Sequence, residues 1–247
     1  MTKTGVLPKP NLQYTGIGAE AKFRICKAAA DAFSASELQA NQQNASRCHC
    51  GRCGRYARCK FRAPRCPADV VHNVCATGCK AAARVGTVGT TVDHFRDDVV
   101  VSFGMGAGSC IAGWQVARGS KIERLFGVEI EPLATKVAVS AFPGATIAPS
   151  VRDIALPADG RLVAITSLVF NVVSSEIARE WAHCLANARS TFLHVNVGRV
   201  EEPGVLGIFG QALIERGLQP RLHDLPSNID NSDCGYATQA TWWGRCV

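Results

Sequence analysis

The stretch VVVSFGMGAGSC, Val99 to Cys110, decides how the rest of the chain is read. Apolar and β-branched residues lead into glycines at alternate positions, Gly104, Gly106 and Gly108. The apolar run is continuous rather than alternating, which is the pattern of a strand buried on both faces. Glycine immediately after such a strand permits positive φ and lets a ligand approach the main chain. In an open α/β sheet that ligand sits beyond the carboxyl ends of the strands.

Working outward toward the carboxyl terminus, short apolar runs alternate with helical stretches. GSCIAGWQVARG reads as a helix, RLFGVEI (124–130) as a strand, and EPLATKVAVSAF as a helix opening near Pro132. GATIAPS is a short strand, RLVAITSLVF (161–170) a longer one, and SSEIAREWAHCLANA (174–188) a helix with a serine cap. STFLHVNVG is a strand and GVLGIFGQALIERG a helix ending at Gly217. PRLHDLP and ATQATWWGRC close the chain as two strands with no helix between them, so they are expected to pair antiparallel. Alternation of this kind predicts an α/β fold: a mostly parallel, seven-stranded sheet with helices on both faces.

Several ligands favour a glycine loop at that place. A phosphate-binding Walker loop is excluded, since no Lys-Ser/Thr pair follows the glycines. The G-x-G-x-x-G dinucleotide spacing is not met either, because the third glycine comes one residue early. Two carboxylates downstream are more telling. Glu129 ends the second strand, where it can accept hydrogen bonds from both hydroxyls of a ribose. Asp153 follows the third strand, where it can accept from an adenine amino group. Glycine loop, acid after strand two, acid after strand three: over residues 97–247 this ordered set resembles the class I methyltransferases that use S-adenosylmethionine (SAM). The resemblance implies a seven-stranded Rossmann-like sheet and SAM as cofactor. It places Gly104, Met105, Gly106 and Gly108 under the methionine part, Glu129 at the ribose, Asp153 at adenine, and Thr166 beside them. The chain departs from many members at Ser102, where an acidic residue is common.

The fourth strand usually carries the catalytic tip in that family. Here it is AITSLVFN, with neither an Asn/Asp-Pro-Pro-aromatic motif nor a Pro-Cys nucleophile. Amino methylation of adenine or glutamine and C5 methylation of cytosine are therefore disfavoured. GVEIEP followed by TSLVFNVVSSEIAREWAHCL resembles DOT1-like histone lysine methyltransferases, with Thr166 to Phe170 in the place of their active-site strand tip. Only Phe170 keeps that family's residue type, and RVGTVGTTVD (84–93) stands where its upstream loop belongs without matching it. This resemblance makes Phe170 and Asn171 the candidate catalytic residues. For lysine, the site must desolvate the amine and align it with the activated methyl, so positioning does most of the work.

Upstream of the sheet the composition changes. Residues 1–96 hold 15 Lys+Arg and 5 Asp+Glu, net +10, and residues 97–247 hold 12 and 15, net −3, which together give the +7 of the whole chain. A basic segment beside a near-neutral one suggests a polyanionic partner: nucleic acid, RNA before DNA, or nucleosomes and histones. Residues 1–18 read as an irregular arm and 20–40 as a helix, with a first unit ending near residue 46. Residues 47–80 have little apolar content, and seven of the 12 cysteines fall between Cys48 and Cys79. The N-terminus has no apolar signal-peptide core, and no apolar run approaches the ~18 residues of a membrane span. An intracellular chain, cytoplasmic or nuclear, is expected, and there dense thiols read as metal ligands before disulfides. Cys48, Cys50, Cys53, Cys59, Cys66, Cys75 and Cys79, with His49 or His72, give enough ligands for two zinc ions. An iron–sulfur cluster is the alternative. Seven Lys/Arg residues from Arg47 to Arg65 thread this segment, with Tyr56 and Phe61 available to stack on bases. The segment then either delivers a nucleic-acid or nucleosomal substrate, or caps the cofactor site as a metal-stapled scaffold. The methyltransferase domain follows from about residue 81. The expected function is SAM-dependent methylation of a macromolecule, RNA or a histone-type lysine. The alternative is a nucleic-acid-binding zinc protein whose methyltransferase fold has lost activity.

Overall fold

The computed structural model describes residues 12–39, 67–74, 78–93, 98–199, 204–225 and 236–245. Its centre is β1 (Val99–Phe103), whose five residues are all buried. β1 pairs in parallel with β2 (Arg124–Val128) on one side and β4 (Leu162–Ser167) on the other. β3 (Thr146–Ala148) extends the sheet beyond β2, and β5 (Thr191–Arg199) extends it beyond β4, both in parallel. β7 (Tyr236–Arg245) runs antiparallel between β5 and the outer strand β6 (Leu218–Leu222). The order is β3-β2-β1-β4-β5-β7-β6, seven strands with the terminal antiparallel pair that the missing helix predicts. β6 starts two residues before the PRLHDLP reading and ends at Leu222, with Pro220 opposite Trp243. An edge strand tolerates proline, because one side of its ladder is unused.

Helices cover both faces. α5 (Ser109–Arg118), α6 (Pro132–Ala141), α7 (Ser175–Ala188) and α8 (Gly204–Glu215) fall where the sequence pattern places them. Their ends follow local chemistry. Glu131 accepts from Leu133 N–H at the start of α6, with Pro132 at its first position. Ser174 accepts from Ile177 N–H at the start of α7. Alternate residues of β1 feed opposite layers, as the two-residue period of a strand requires. Val100 joins a core with Ile111, Trp114 and Val137, on the side of α5 and α6. Val99, Val101 and Phe103 join a core with Trp181, Leu185, Phe209 and Leu213, on the side of α7 and α8. There Phe103 stacks on Trp181 with ring centroids 4.8 Å apart.

The N-terminal elements belong to the first of these layers. α1 (Leu12–Ala32) begins inside the stretch read as an irregular arm. Ala21, Ile25, Ala28 and Ala29 form its buried stripe at helical spacing, packed with α4 (Cys79–Thr91), α5 and α6. α2 (Ala35–Gln39) and α3 (Pro67–Asn73) are short, and Val70 of α3 with the following Val74 enters the same core. RVGTVGTTVD, which does not match the DOT1-like loop, lies mostly in α4 (Cys79–Thr91). Its first glycine serves packing. A Cβ on Gly86 would lie 2.7 Å from Gly113 O, and one on Gly113 of α5 would lie 2.1 Å from Ala82 O, so α4 and α5 meet backbone to backbone.

At the amino ends of the strands, Asp98 is gripped by Arg161 through two hydrogen bonds of 2.9 and 2.7 Å. Arg118 reaches the same carboxylate at 3.4 Å and donates to Val92 O at 2.8 Å. Among the described residues no helix is long and apolar enough to cross a membrane.

Candidate cofactor cleft

The loop after β1 is built by its glycines. Gly104, Gly106 and Gly108 have φ of +62°, +56° and +87°, where an L side chain is strained. Two of them are also crowded. A Cβ on Gly104 would sit 2.3 Å from Val169 Cγ2, and one on Gly108 would sit 2.3 Å from Phe142 Cε2. Gly106 instead faces open space, with nothing within 4 Å of a Cβ position. The loop is tied to the end of β2. Met105 N–H donates to Val128 O at 3.0 Å, and Gly106 N–H donates to Glu129 Oε2 at 2.6 Å. Glu129 Oε1 accepts from Ile130 N–H (3.0 Å) and Glu131 N–H (2.8 Å). The carboxylate is thus oriented by three backbone donors. Each of its oxygens has two lone-pair directions, so Oε2 keeps one for a ligand hydroxyl.

A cleft opens beside this loop at the carboxyl ends of the strands. Its larger lobe, about 820 Å³, lies between the glycine loop, the first turn of α5 and the α3 region, where Val70, Asn73 and Val74 form a wall. A second lobe of about 460 Å³ lies between Ile130, the Pro149–Val151 turn and α7, where Glu180 and Trp181 face it. Gly104, Glu129, Ser167 and Leu168 border both. Each volume is within the range of roughly 300–1,000 Å³ usual for small-molecule sites. Lys, Arg and His are absent from the described residues that line either lobe.

Leu168, at the junction of the lobes, is the one described non-glycine residue with positive φ, at +57°. Its N–H donates to Val197 O at 2.7 Å, and the next residue, Val169, fills the space beneath Gly104. The strain is held from both sides, as it is at sites that need a fixed geometry. Cys110 also lines the larger lobe. Burial pushes its thiol up to about 11, with only a partial offset from its hydrogen bond with Ser167. It is therefore a protonated thiol at neutral pH and a poor nucleophile.

The residues expected from sequence divide into two sets. Gly104, Met105, Gly106 and Glu129 line the cleft, and Gly108 holds the turn against Phe142. The others are elsewhere. Asp153 is exposed at the end of a single 3-10 turn (Val151–Asp153) and borders neither lobe, whereas Ser150, which caps that turn, does. Thr166 is fully buried. Its hydroxyl donates to Asn196 Oδ1 at 2.8 Å and meets His194 Nε2 at 2.8 Å, inside the sheet layer rather than at a ligand. Burial holds His194 down at about 3, so it is neutral. Phe170 is a core residue, with ring centroids 5.2 Å from Phe209 and 6.2 Å from Trp181. Asn171 borders neither lobe. Cys48, His49, Cys50, Cys53, Cys59, Cys66 and Cys75 lie outside the described residues, as does the His72 side chain. Cys79 opens α4, and among the described residues no group of three His, Cys, Asp or Glu is placed to hold a metal. The α3 wall, Leu168, the Cys110–Ser167 contact and Glu180 were not anticipated. Glu180 had a signal: Ile177, Glu180 and Trp181 share one face of α7 by helical spacing.

No protein-family model matches the chain, and no curated protein does. Solved structures do match. The mitomycin 7-O-methyltransferase MmcR superposes with a TM-score of 0.50 at 17% identity, over 97% of this chain and 74% of that one. The chain has the class I SAM-dependent methyltransferase fold. A TehB-like SAM-dependent methyltransferase from Corynebacterium glutamicum gives 0.45 at 12% identity, over 66% of this chain and 87% of that one. Magnesium protoporphyrin IX methyltransferase from Synechocystis, solved with bound SAM, gives 0.42 at 15% identity, over 73% and 83%. At these identities the likeness is one of fold. In this methyltransferase fold the cleft lies at the carboxyl ends of β1, β2 and β4, where an open α/β sheet binds its ligands.

Proposed function

We propose that the protein is a SAM-dependent methyltransferase. The observation that carries this reading is the glycine loop, turned by three positive-φ residues and latched to Glu129 through Gly106 N–H. SAM fits such a cleft. Gly106 leaves the main chain open to the methionine part, Glu129 can accept from the ribose hydroxyls, and the second lobe offers a purine apolar walls that include Ile130 and Val151. When bound, SAM supplies an already activated methyl group. The protein's part is to hold the acceptor in line with that methyl and keep water away. Leu168 and the α3 wall are the described residues placed to do so.

The acceptor in this reading is a macromolecule, RNA or a histone-type lysine. The +10 charge of residues 1–96 supports it, together with α3, which follows that basic stretch in sequence and borders the cleft. The described lining has no cation and so suits an uncharged acceptor group, and in this reading phosphate contacts fall to the basic residues Arg47 to Arg65. Zinc in the cysteine segment belongs to the same proposal and rests on ligand spacing alone.

Calorimetry with S-adenosylhomocysteine tests the cofactor reading. Tight binding of NADH without binding of S-adenosylhomocysteine would sink it. Transfer from tritiated SAM onto total RNA, core histones and nucleosomes tests the acceptor. Binding of S-adenosylhomocysteine with no transfer to any of the three would favour an inactive, nucleic-acid-binding role.

A further inference from the structure

We propose that Glu180, held by Arg152, recognises the amino edge of the cofactor's adenine, the task that the strand-order pattern assigns to Asp153. The proposal rests on the methyltransferase reading and adds a specificity-determining residue to it. Four side chains with acceptor oxygens border the second lobe: Glu129, Ser150, Ser167 and Glu180. Glu129 is oriented by three backbone N–H groups around the end of β2, on the glycine-loop side. Ser150 Oγ accepts from Arg152 N–H at 3.2 Å, and Ser167 is the hydrogen-bond partner of Cys110. Glu180 remains. Arg152 Nε donates to its Oε1 at 2.5 Å, bridging the turn after β3 to α7. This engages one carboxylate oxygen and leaves Oε2 for the lobe.

The surroundings suit a planar base. Ile130 is 80% exposed, a large aliphatic side chain left open along the lobe, and Val151 stands on the Arg152 side. The Arg152 side chain is 79% exposed and that of Glu180 only 28%, so the arginine works from the rim on a carboxylate that faces inward. A surface ion pair of this kind adds little to stability. Its effect is to fix the rotamer of Glu180. An ionised carboxylate only accepts hydrogen bonds. It pairs with a 6-amino purine and is set against the carbonyl oxygen of a 6-oxo purine.

The test is isothermal titration of the full chain with S-adenosylhomocysteine and with S-inosylhomocysteine, its 6-oxo analogue. The parent protein should prefer the adenosyl compound by about tenfold or more, as expected for one charge-assisted hydrogen bond. Glu180→Ala should bring the two affinities within about twofold, and Arg152→Ala should reduce the preference without moving the melting temperature. Asp153→Ala should leave the preference as it is. Glu180→Gln, which keeps the size of the side chain, provides the same test should the alanine variant fold poorly, and should also lose most of the preference. A Glu180→Gln or Glu180→Ala protein with the parent's preference overturns the proposal, as does a parent that binds both compounds equally. Abolition of the preference by Asp153→Ala overturns it too, in favour of the strand-order assignment. A parent that binds neither compound refutes the methyltransferase reading itself, and this assignment falls with it.

Discussion

Replacing Glu129 by alanine separates a ligand contact from a structural latch. The carboxylate accepts from Gly106 N–H at 2.6 Å, Glu131 N–H at 2.8 Å and Ile130 N–H at 3.0 Å. The Ile130 contact is exposed, so water replaces it at little cost. The other two are partly buried. A shielded hydrogen bond to a charged group contributes about 1.5–3 kcal/mol, and partial exposure lowers the two together to about 2 kcal/mol. At roughly 2–4 °C per kcal/mol for a chain of this size, Glu129→Ala should melt about 4–8 °C below the parent. Affinity for S-adenosylhomocysteine should fall further, by about 1–3 kcal/mol, through the lost ribose contacts and the loosened loop. Glu129→Gln keeps one acceptor oxygen and should recover about half of the melting shift but little of the affinity. Calorimetric melts and titrations on the three proteins decide the matter. Glu129→Ala melting with the parent would show that the loop does not depend on the latch. A lowered melt with unchanged affinity would show that Glu129 supports the loop without touching the ligand.

Asp98→Asn breaks the clamp at the opposite ends of the strands and leaves two guanidinium groups facing a neutral side chain. Loss of a buried pair predicts a destabilisation of about 3–5 kcal/mol in denaturant melts, with affinity for S-adenosylhomocysteine unchanged. His194 is neutral and buried in the folded chain, held down at about 3, while unfolding restores an ordinary imidazole near 6.5. The unfolded state therefore binds the extra proton, and the contribution of this group to stability, complete above about pH 6.5, is lost progressively as pH falls toward 3. His194→Gln should flatten the stability profile over that window, and an unchanged slope would exclude His194 as its source. Cys110, with its thiol pushed up to about 11, should be alkylated by iodoacetamide at pH 8 much more slowly than an exposed cysteine, as read by peptide mass spectrometry. S-adenosylhomocysteine should slow it again, and rapid labelling in both states would refute the burial argument.

The sheet was legible because strands and helices announce themselves locally. Continuous apolar runs, Ser174 and Pro132 at helix starts, and the missing helix before the last strand are short-range signals, and together they lead to the observed strand order. The glycine loop and Glu129 were legible for the same reason: each is fixed by its place at the end of one strand. The expected residues that lie away from the cleft are those whose place depends on how separate elements meet. Thr166 could have been corrected from period alone, since it shares a strand face with Leu162 and Ala164 and must point into the α7–α8 layer, as those residues do. Ser167, one residue on, lines the cleft. Phe170 could not, because the chain turns at Leu168 with a φ that no β-strand or helix pattern predicts for leucine.

Asp153 and Glu180 show the same limit in a sharper form. Both are carboxylates near the turn after β3, 27 residues apart in sequence. The 3-10 turn capped by Ser150 leaves Asp153 exposed and away from both lobes, and Glu180 of α7, bridged to Arg152, lines the second lobe instead. The α3 wall carries this reasoning to the substrate. Cys66 precedes Pro67 directly and Cys75 follows Val74, so the cysteine-rich stretch flanks the very segment that borders the larger lobe. In the proposed function, delivery of a polyanion falls to the basic stretch and the cleft wall to α3, two roles within one run of sequence. Replacing Arg52, Arg55, Arg58 and Arg62 by alanine separates them. The salt dependence of RNA binding should flatten, because each lost phosphate contact releases fewer counterions, while affinity for S-adenosylhomocysteine holds. If RNA, DNA and nucleosomes bind the fourfold variant as well as they bind the parent, over the whole salt range, the basic segment has no part in delivery and serves the cleft alone.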